Sequence, residues 1–395
     1  MGSIIRLITA GVRFLFLLFL SYSGNESIIA FLALSYAIHG FLVFILPCDY
    51  YVSVIHYYRN FSRESLSKIA EHWVFLSIST MLSLITSIIV ILTLNLDIIY
   101  LSLAFIIAFD CINSELNRIL IAKGENLVSA IFLFFRWAAW PIIITIQIFY
   151  EIAISNLMVS TYWLISVTLT MIFCTWFCLK DISGLLLSFV FRVQIKSIYI
   201  AFKKGLSNLG STISLRAIFT IDRFAVSYIY NEKTLVLYQL SLSLVSISTI
   251  LVDSITVPKY YGEFFNKNIY RKDLIAKFIK SVAFMVTVNL FFHVGLLLVI
   301  DCFNINMTIP RTYELVPFYL FNLVFLSIYP FSYLNIRDGK LIFNTKMSVL
   351  SLLVFLICVL IVLILKLDYY WFSWIIFLSF SSNLALRVIY EKREN

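Results

Sequence analysis

Apolar residues in this chain run in blocks of about twenty, separated by short polar stretches. The blocks fall at about 5–23, 28–57, 73–94, 98–118, 127–150, 155–179, 205–230, 234–258, 280–301, 315–336, 347–366 and 369–388. A segment apolar on every side has no face to offer water. About 20 residues is the length a helix needs to cross the hydrocarbon core. Inside lipid an unpaired backbone amide has no solvent partner, so each block is predicted to be a helix. The pattern predicts an all-α polytopic membrane protein with about 12 transmembrane helices. The second block is overlong and holds Pro47, which predicts a tilt, a kink or an extension beyond the membrane. Pro141, Pro317 and Pro330 are predicted to kink their helices. No small-residue cleavage site follows the first block, so it is read as helix one and not as a signal peptide.

Composition agrees and removes whole classes of function. Of 395 residues, 62% are hydrophobic and 13% charged, and the mean hydropathy is +0.97. A soluble domain is closer to half apolar and a quarter charged. The net charge of +9 would suggest nucleic acid in a soluble chain. Here it reads as cytoplasmic loops that collect Lys and Arg. With the N-terminus inside, the inner loops hold twenty-three Lys and Arg, and the outer loops hold only Lys233, Arg311 and Lys366. Both termini are therefore expected in the cytoplasm. The six cysteines are scattered, which predicts neither disulfides nor a metal centre. Cys174 and Cys178 are read as small packing residues. GLSNLG at 205–210 lacks the lysine of a phosphate-binding loop, and no metalloprotease or nucleophile-elbow motif occurs. Neither a cofactor nor an enzymatic activity is expected.

The chain reads as two related halves. Arg13, Tyr36 and Asp49 are spaced by 23 and 13 residues, and Arg216, Tyr238 and Asp253 by 22 and 15. Each set leads into a basic inner loop, FSRESLSKIA (61–70) or YRKDLIAKFI (270–279). Parallel six-helix repeats are a common transporter plan. The expected organisation is an N-terminal six-helix lobe (1–179), a cytoplasmic interfacial linker (180–204) and a C-terminal six-helix lobe (205–395), the lobes enclosing a central cavity.

Charges inside the apolar blocks carry the chemistry. They are Arg13, Asp49, Asp110, Arg136, Arg216, Asp222, Arg223 and Asp253. Each costs roughly 2.5–3.5 kcal/mol at the bilayer centre, and such groups face a bundle interior or a wet cavity. Arg13, Arg136 and Arg216 fall roughly 12–17 Å from the inner ends of their helices at about 1.5 Å per residue. A layer of guanidiniums suits phosphate, because the planar fork gives paired hydrogen bonds. Arg223 lies about 10 Å further out on the face of Arg216. The alternative is structural pairing: Arg13 with Asp49, Arg136 with Asp110, Arg216 with Asp253. His39 and His293 read as satisfied packing residues, with proton relay as the alternative.

The stretch GLSNLGSTISLRAIFTIDRFAVSYIYNEKTLVLYQLSLSL (205–244) resembles the Wzx-type O-antigen flippases, the polysaccharide transporter branch of the multidrug/oligosaccharidyl-lipid/polysaccharide exporter superfamily. The resemblance rests on the two-lobe plan, on Asp222-Arg223 followed by Tyr238, and on the inner turn RILIAKGENLVSA (118–130). It implies a flippase in the bacterial inner membrane. Such a protein moves an undecaprenyl-diphosphate-linked O-antigen or other surface polysaccharide repeat to the periplasmic leaflet by alternating access. It also implies that Arg13, Arg136, Arg216 and Arg223 bind the diphosphate. Asp49, Asp110, Asp222 and Asp253 would serve as coupling-ion or counter-charge groups. The implied partners are the lipid-linked oligosaccharide, membrane lipids, a polysaccharide polymerase and a chain-length regulator, with no nucleic acid. Two alternatives remain: a cation-coupled drug antiporter of the same superfamily, and a membrane polymerase or acyltransferase acting on the same lipid.

Overall fold

The computed structural model describes the chain except residues 46–53, 55–56, 59–62, 94–96, 181–189, 191–192, 194, 265–269, 304–309, 311 and 395. The described residues form helices: α1 (Gly2–Tyr22), α2 (Glu26–Ile45), α3 (Arg63–Thr93), α4 (Leu101–Ala122), α5 (Asn126–Trp137), α6 (Ala139–Phe149), α7 (Asn156–Leu179) and α8 (Ile195–Ile229). They continue with α9 (Glu232–Leu251), α10 (Val257–Phe264), α11 (Arg271–Cys302), α12 (Thr312–Ser327), α13 (Tyr329–Arg337), α14 (Leu341–Leu365) and α15 (Trp371–Glu394). Among the described residues no strand is present.

Among the described residues ten stretches are long and apolar enough to cross a membrane, three of them uniting consecutive helical segments, against the dozen expected. Two further long helices, α4 and α8, fall outside these ten. Each is interrupted by three charges in its apolar part, Asp110, Glu115 and Arg118 in α4, and Arg216, Asp222 and Arg223 in α8. Beyond Lys346, the side chains that α14 exposes are apolar. Leu353, Ile357, Leu360 and Ile364 are each more than half exposed. Lipid is the solvent that such a surface fits.

Local chemistry explains the breaks. Pro141 has no N–H for the Trp137 carbonyl, and the helix restarts at Ala139. Pro330 stands at the start of α13 and ends α12 in the same way. The α4–α5 turn closes on Gly124 at φ 85°, with Glu125 N–H donating to the Leu120 carbonyl at 2.9 Å. That is the left-handed exit residue of a helix, a conformation glycine adopts without a Cβ penalty. Ser155 and Asn231 cap α7 and α9 through side-chain oxygens. Helix α8 begins at Ile195, inside the stretch expected to be a separate linker, because no proline stops the helix before Gly205.

The chain divides into two compact units. The first comprises Met1–Arg13 and Ile38–Thr212, the second Phe14–Ala37 and Ile213–Asn395. These bounds differ from the expected lobes at 14–37, which groups with the C-terminal unit, and at 180–212, which groups with the first. In the first unit α4 packs on α3, α5 and α7. In the second, α12 packs on α9, α11 and α15, and α14 on α15. Cys174 and Cys178 lie in a buried cluster with Ile69, Leu116 and Leu120, as packing residues should.

Candidate functional site

The first unit buries a charged cluster. Asp110, halfway along α4, has no exposed surface. Its Oδ1 lies 2.7 Å from Arg136 Nε at the end of α5. Its Oδ2 lies 2.6 Å from Nε2 of His39, on α2. Asn113, one turn along α4, donates to Oδ1 at 3.3 Å and to the Val167 carbonyl of α7 at 3.0 Å. The carboxylate is thus clamped from three helices.

Beside it stands Trp137. The Arg136 guanidinium carbon lies 5.3 Å from the centre of this ring, and the Arg13 guanidinium carbon 4.4 Å from it. Both fall within the range of a cation–π contact. His39 packs edge-on to Trp137 at 5.2 Å and against Trp163 at 5.5 Å, and Trp163 stacks on Trp140 at 5.6 Å. Two guanidiniums therefore share one ring beside one buried carboxylate. The Arg136 contact is a charge contact: its Nε–H is not aimed along the carboxylate oxygen, and that nitrogen is buried without a hydrogen-bond partner. Arg136 also lines, with Asn113, Asn117 and Thr170, a cavity of roughly one water molecule in size.

The second unit holds other residues expected at the site. Asp222 is fully buried, with Tyr238 Oη donating to Oδ2 at 2.8 Å and the Arg223 backbone N–H donating to Oδ1 at 2.7 Å. Arg216 and Asp253 both act electrostatically on Tyr329. Asp253 lies in a π-helical turn, Val252–Thr256, between α9 and α10. Such turns recur at functional sites, and nothing in the apolar pattern signals this one. Asp49 lies outside the described residues. Arg13, Asp110 and Arg136 are thus brought together within one unit, and Arg216, Asp222, Arg223 and Asp253 belong to the other.

His39 is buried and satisfied by the Asp110 carboxylate, as the packing reading expects, and His293 is not satisfied. His293 of α11 has no exposed surface, and both its ring nitrogens lack hydrogen-bond partners. One turn before it, Asn289 spends its amide N–H groups on the Leu244 and Val245 carbonyls and on Ser248 Oγ, while its Oδ1 is buried without a partner. Sequence reasoning did not place His39, Trp137, Asn113 or Tyr329 beside the charged residues. The available signal was a histidine and a tryptophan placed in apolar blocks that also carry charges.

No family model matches the chain, and no curated protein matches it. Solved structures do. A MATE structure in the straight conformation superposes with a TM-score of 0.58 at 14% identity, covering 99% of this chain and 94% of the other. A MATE in the bent conformation gives 0.54 at 15% identity, covering 98% and 92%. An outward-facing multidrug resistance MATE family transporter of the MOP superfamily gives 0.51 at 12% identity, covering 99% and 94%. At such identities the likeness is one of fold, and over its whole length this multi-pass chain has the fold of MATE-type membrane transporters.

Proposed function

We propose that this chain is a flippase for an anionic lipid-linked sugar precursor, of the undecaprenyl-diphosphate-linked repeat class. It would work by alternating access in a bacterial inner membrane, with both termini cytoplasmic. The observation that carries the reading is the pair Arg13 and Arg136 on Trp137. Beside them Asp110 is buried and already engaged by Arg136 and His39. Two guanidiniums on one ring suit a ligand that brings negative charge. A guanidinium fork matches two phosphate oxygens, which an ammonium point charge does not. An inside-negative potential favours outward movement of such an anion by about 2.3 kcal/mol per charge per 100 mV, so ATP is not required. Arg216 and Arg223 are proposed as further contacts along the path. Asp222 and Asp253 are proposed as coupling or counter-charge groups. A polymerase and a chain-length regulator are the proposed downstream partners.

The test is export in cells. Arg13→Ala and Arg136→Ala should each lower surface polysaccharide at least tenfold while the lipid-linked repeat accumulates on the inner leaflet. Normal export from the double variant, at normal abundance, would exclude the reading. The drug-antiporter reading is favoured by one observation, the exposed carboxylate of Asp253 in its π-helical turn. Cells expressing the chain and surviving cationic drugs, with unchanged surface sugar, would favour it instead.

A further inference from the structure

Asp110 serves two groups of different character. Its Oδ1 faces Arg136, a permanent cation, at 2.7 Å, and its Oδ2 faces His39, which becomes a cation only on taking a proton, at 2.6 Å. We propose that His39 is a proton-binding site that sets how firmly Asp110 holds Arg136, so that a proton on His39 turns the Arg136 guanidinium toward an anionic ligand. The inference rests on the anion reading of Arg13 and Arg136 and adds its regulation.

The steps balance simply. With His39 neutral, its Nε2–H donates to Asp110 Oδ2, and the ring's lone pair is on Nδ1. A proton from hydronium in the aqueous phase adds to Nδ1: one N–H bond forms, one hydronium O–H bond breaks, and a water molecule is left. The charged groups whose fields reach His39 are Asp110 of α4, Arg136 of α5 and Arg13 of α1. The rings of Trp137 and Trp163 complete its surroundings. Asp110 favours the proton, while Arg136 and Arg13 oppose it. Protonation of His39 adds one unit of positive charge beside the two arginines. An anion arriving at Arg13 and Arg136 cancels the two charges that oppose the proton. Proton and anion therefore strengthen each other's binding by the same factor. Arg136 is suited to be the part that moves. Its Nε–H is not aimed at the carboxylate, and it already borders a small cavity with Asn113 and Thr170.

The experiment uses the full chain in lipid nanodiscs and decyl sulfonate, a single-chain anion whose own charge does not change with pH. Its affinity is measured between about pH 5.5 and 8.5, on both sides of the ordinary imidazole value. Wild type should bind about tenfold more tightly at the acid end. His39→Gln keeps an amide donor for Asp110 but takes no proton, and its affinity should be flat. His72, which faces Glu115 elsewhere in the same unit, is common to both proteins and cancels. Identical pH profiles in the two proteins would overturn the role of His39 while sparing the anion site. Absence of binding by wild type at every pH would overturn both. If His39→Gln does not fold, the wild-type profile decides: a rise toward acid supports the proposal and a flat line overturns it.

Discussion

The two units keep polar groups out of lipid by opposite means. The first buries carboxylates against cations. Asp110 lies between Arg136 and His39, and a second carboxylate, Glu115, lies between Arg118 at 2.8 Å and His72 at 3.5 Å. Each time one oxygen meets an arginine and the other a histidine. The second unit relies on neutral amides and hydroxyls. Asn322 donates to the Val245 carbonyl at 2.8 Å and to Ser248 Oγ at 2.6 Å, and accepts from Thr249 Oγ1 at 3.0 Å. Its fully buried carboxylate, Asp222, is held by a hydroxyl and a backbone amide. Charge pairs are all-or-none, because losing one member strands the other. Neutral networks lose their bonds one at a time. The first unit should therefore be brittle to single substitutions and responsive to protons and anions, and the second graded.

The largest effect is expected where brittleness is greatest. Asp110→Leu leaves Arg136 buried without its carboxylate, a loss of about 3–5 kcal/mol. We expect little folded protein in the membrane, read by fluorescence-detected size exclusion. Asp110→Leu with Arg136→Leu removes both charges and should recover most of the abundance. A single variant as abundant as wild type would break the comparison, since the pair would then not hold the unit together.

That pair also shows how much was legible in the sequence. The apolar blocks are long enough that hydropathy alone places nearly every spanning helix, because lipid leaves the backbone no other choice. Charges in such blocks are expensive, so Arg136 and Asp110 stand out from the residue pattern alone. What they touch does not. His39 is 71 residues from Asp110, and no spacing rule joins α2 to α4. Trp137 reads as one more lipid-facing aromatic until Arg13 is seen on its ring. The π-helical turn at Asp253 depends on one extra residue per turn, which an unbroken apolar run conceals.

A sharper test of the second unit is Tyr238→Phe, which removes one of two donors to Asp222 and keeps the ring. Hydrogen bonds to a charged partner contribute about 1.5–3 kcal/mol, and those between neutral groups about 0.5–1.5. We expect a loss of about 2 kcal/mol in denaturation followed in detergent, marking an ionised Asp222. A loss below about 1 kcal/mol would instead place a proton on that carboxyl and make the contrast between the units complete.

Asn322→Ala should cost less. It removes bonds to Val245, Ser248 and Thr249 from the interior of the second unit. Interhelical hydrogen bonds in membranes contribute about 0.6 kcal/mol on average and at most about 1.7. The variant should fold, reach the membrane and melt a few degrees lower. Loss of all folded protein would show that the second unit is as brittle as the first.

The smallest effect belongs to a place where the second unit does use ion pairs, at the ends of its spans. Arg271 binds Glu391 at 2.7 Å through Nε and also pairs with Asp338, while Arg337 holds Asp338 Oδ1 at 2.8 Å. Burial pushes the Asp338 carboxyl up, but the hydrogen bond and charge of Arg337, with the charges of Arg271 and Lys340, outweigh it and hold the group below its ordinary 3.8. A carboxyl lowered on folding adds stability that is fully present above the ordinary value and is lost as the pH falls through the folded one. Wild type should therefore melt slightly above Asp338→Asn, by a margin constant from neutral pH to about pH 5 and shrinking below about pH 4. The side chain is 26% exposed, so water and salt screen it and added salt should narrow the margin as well. Arg271 keeps Glu391 in the variant, and the new amide oxygen still offers Arg337 an acceptor. A margin that grows on acidification would mean that Asp338 is held up by burial and not down by its arginines, and the ion-paired edge would then resemble the neutral network above it.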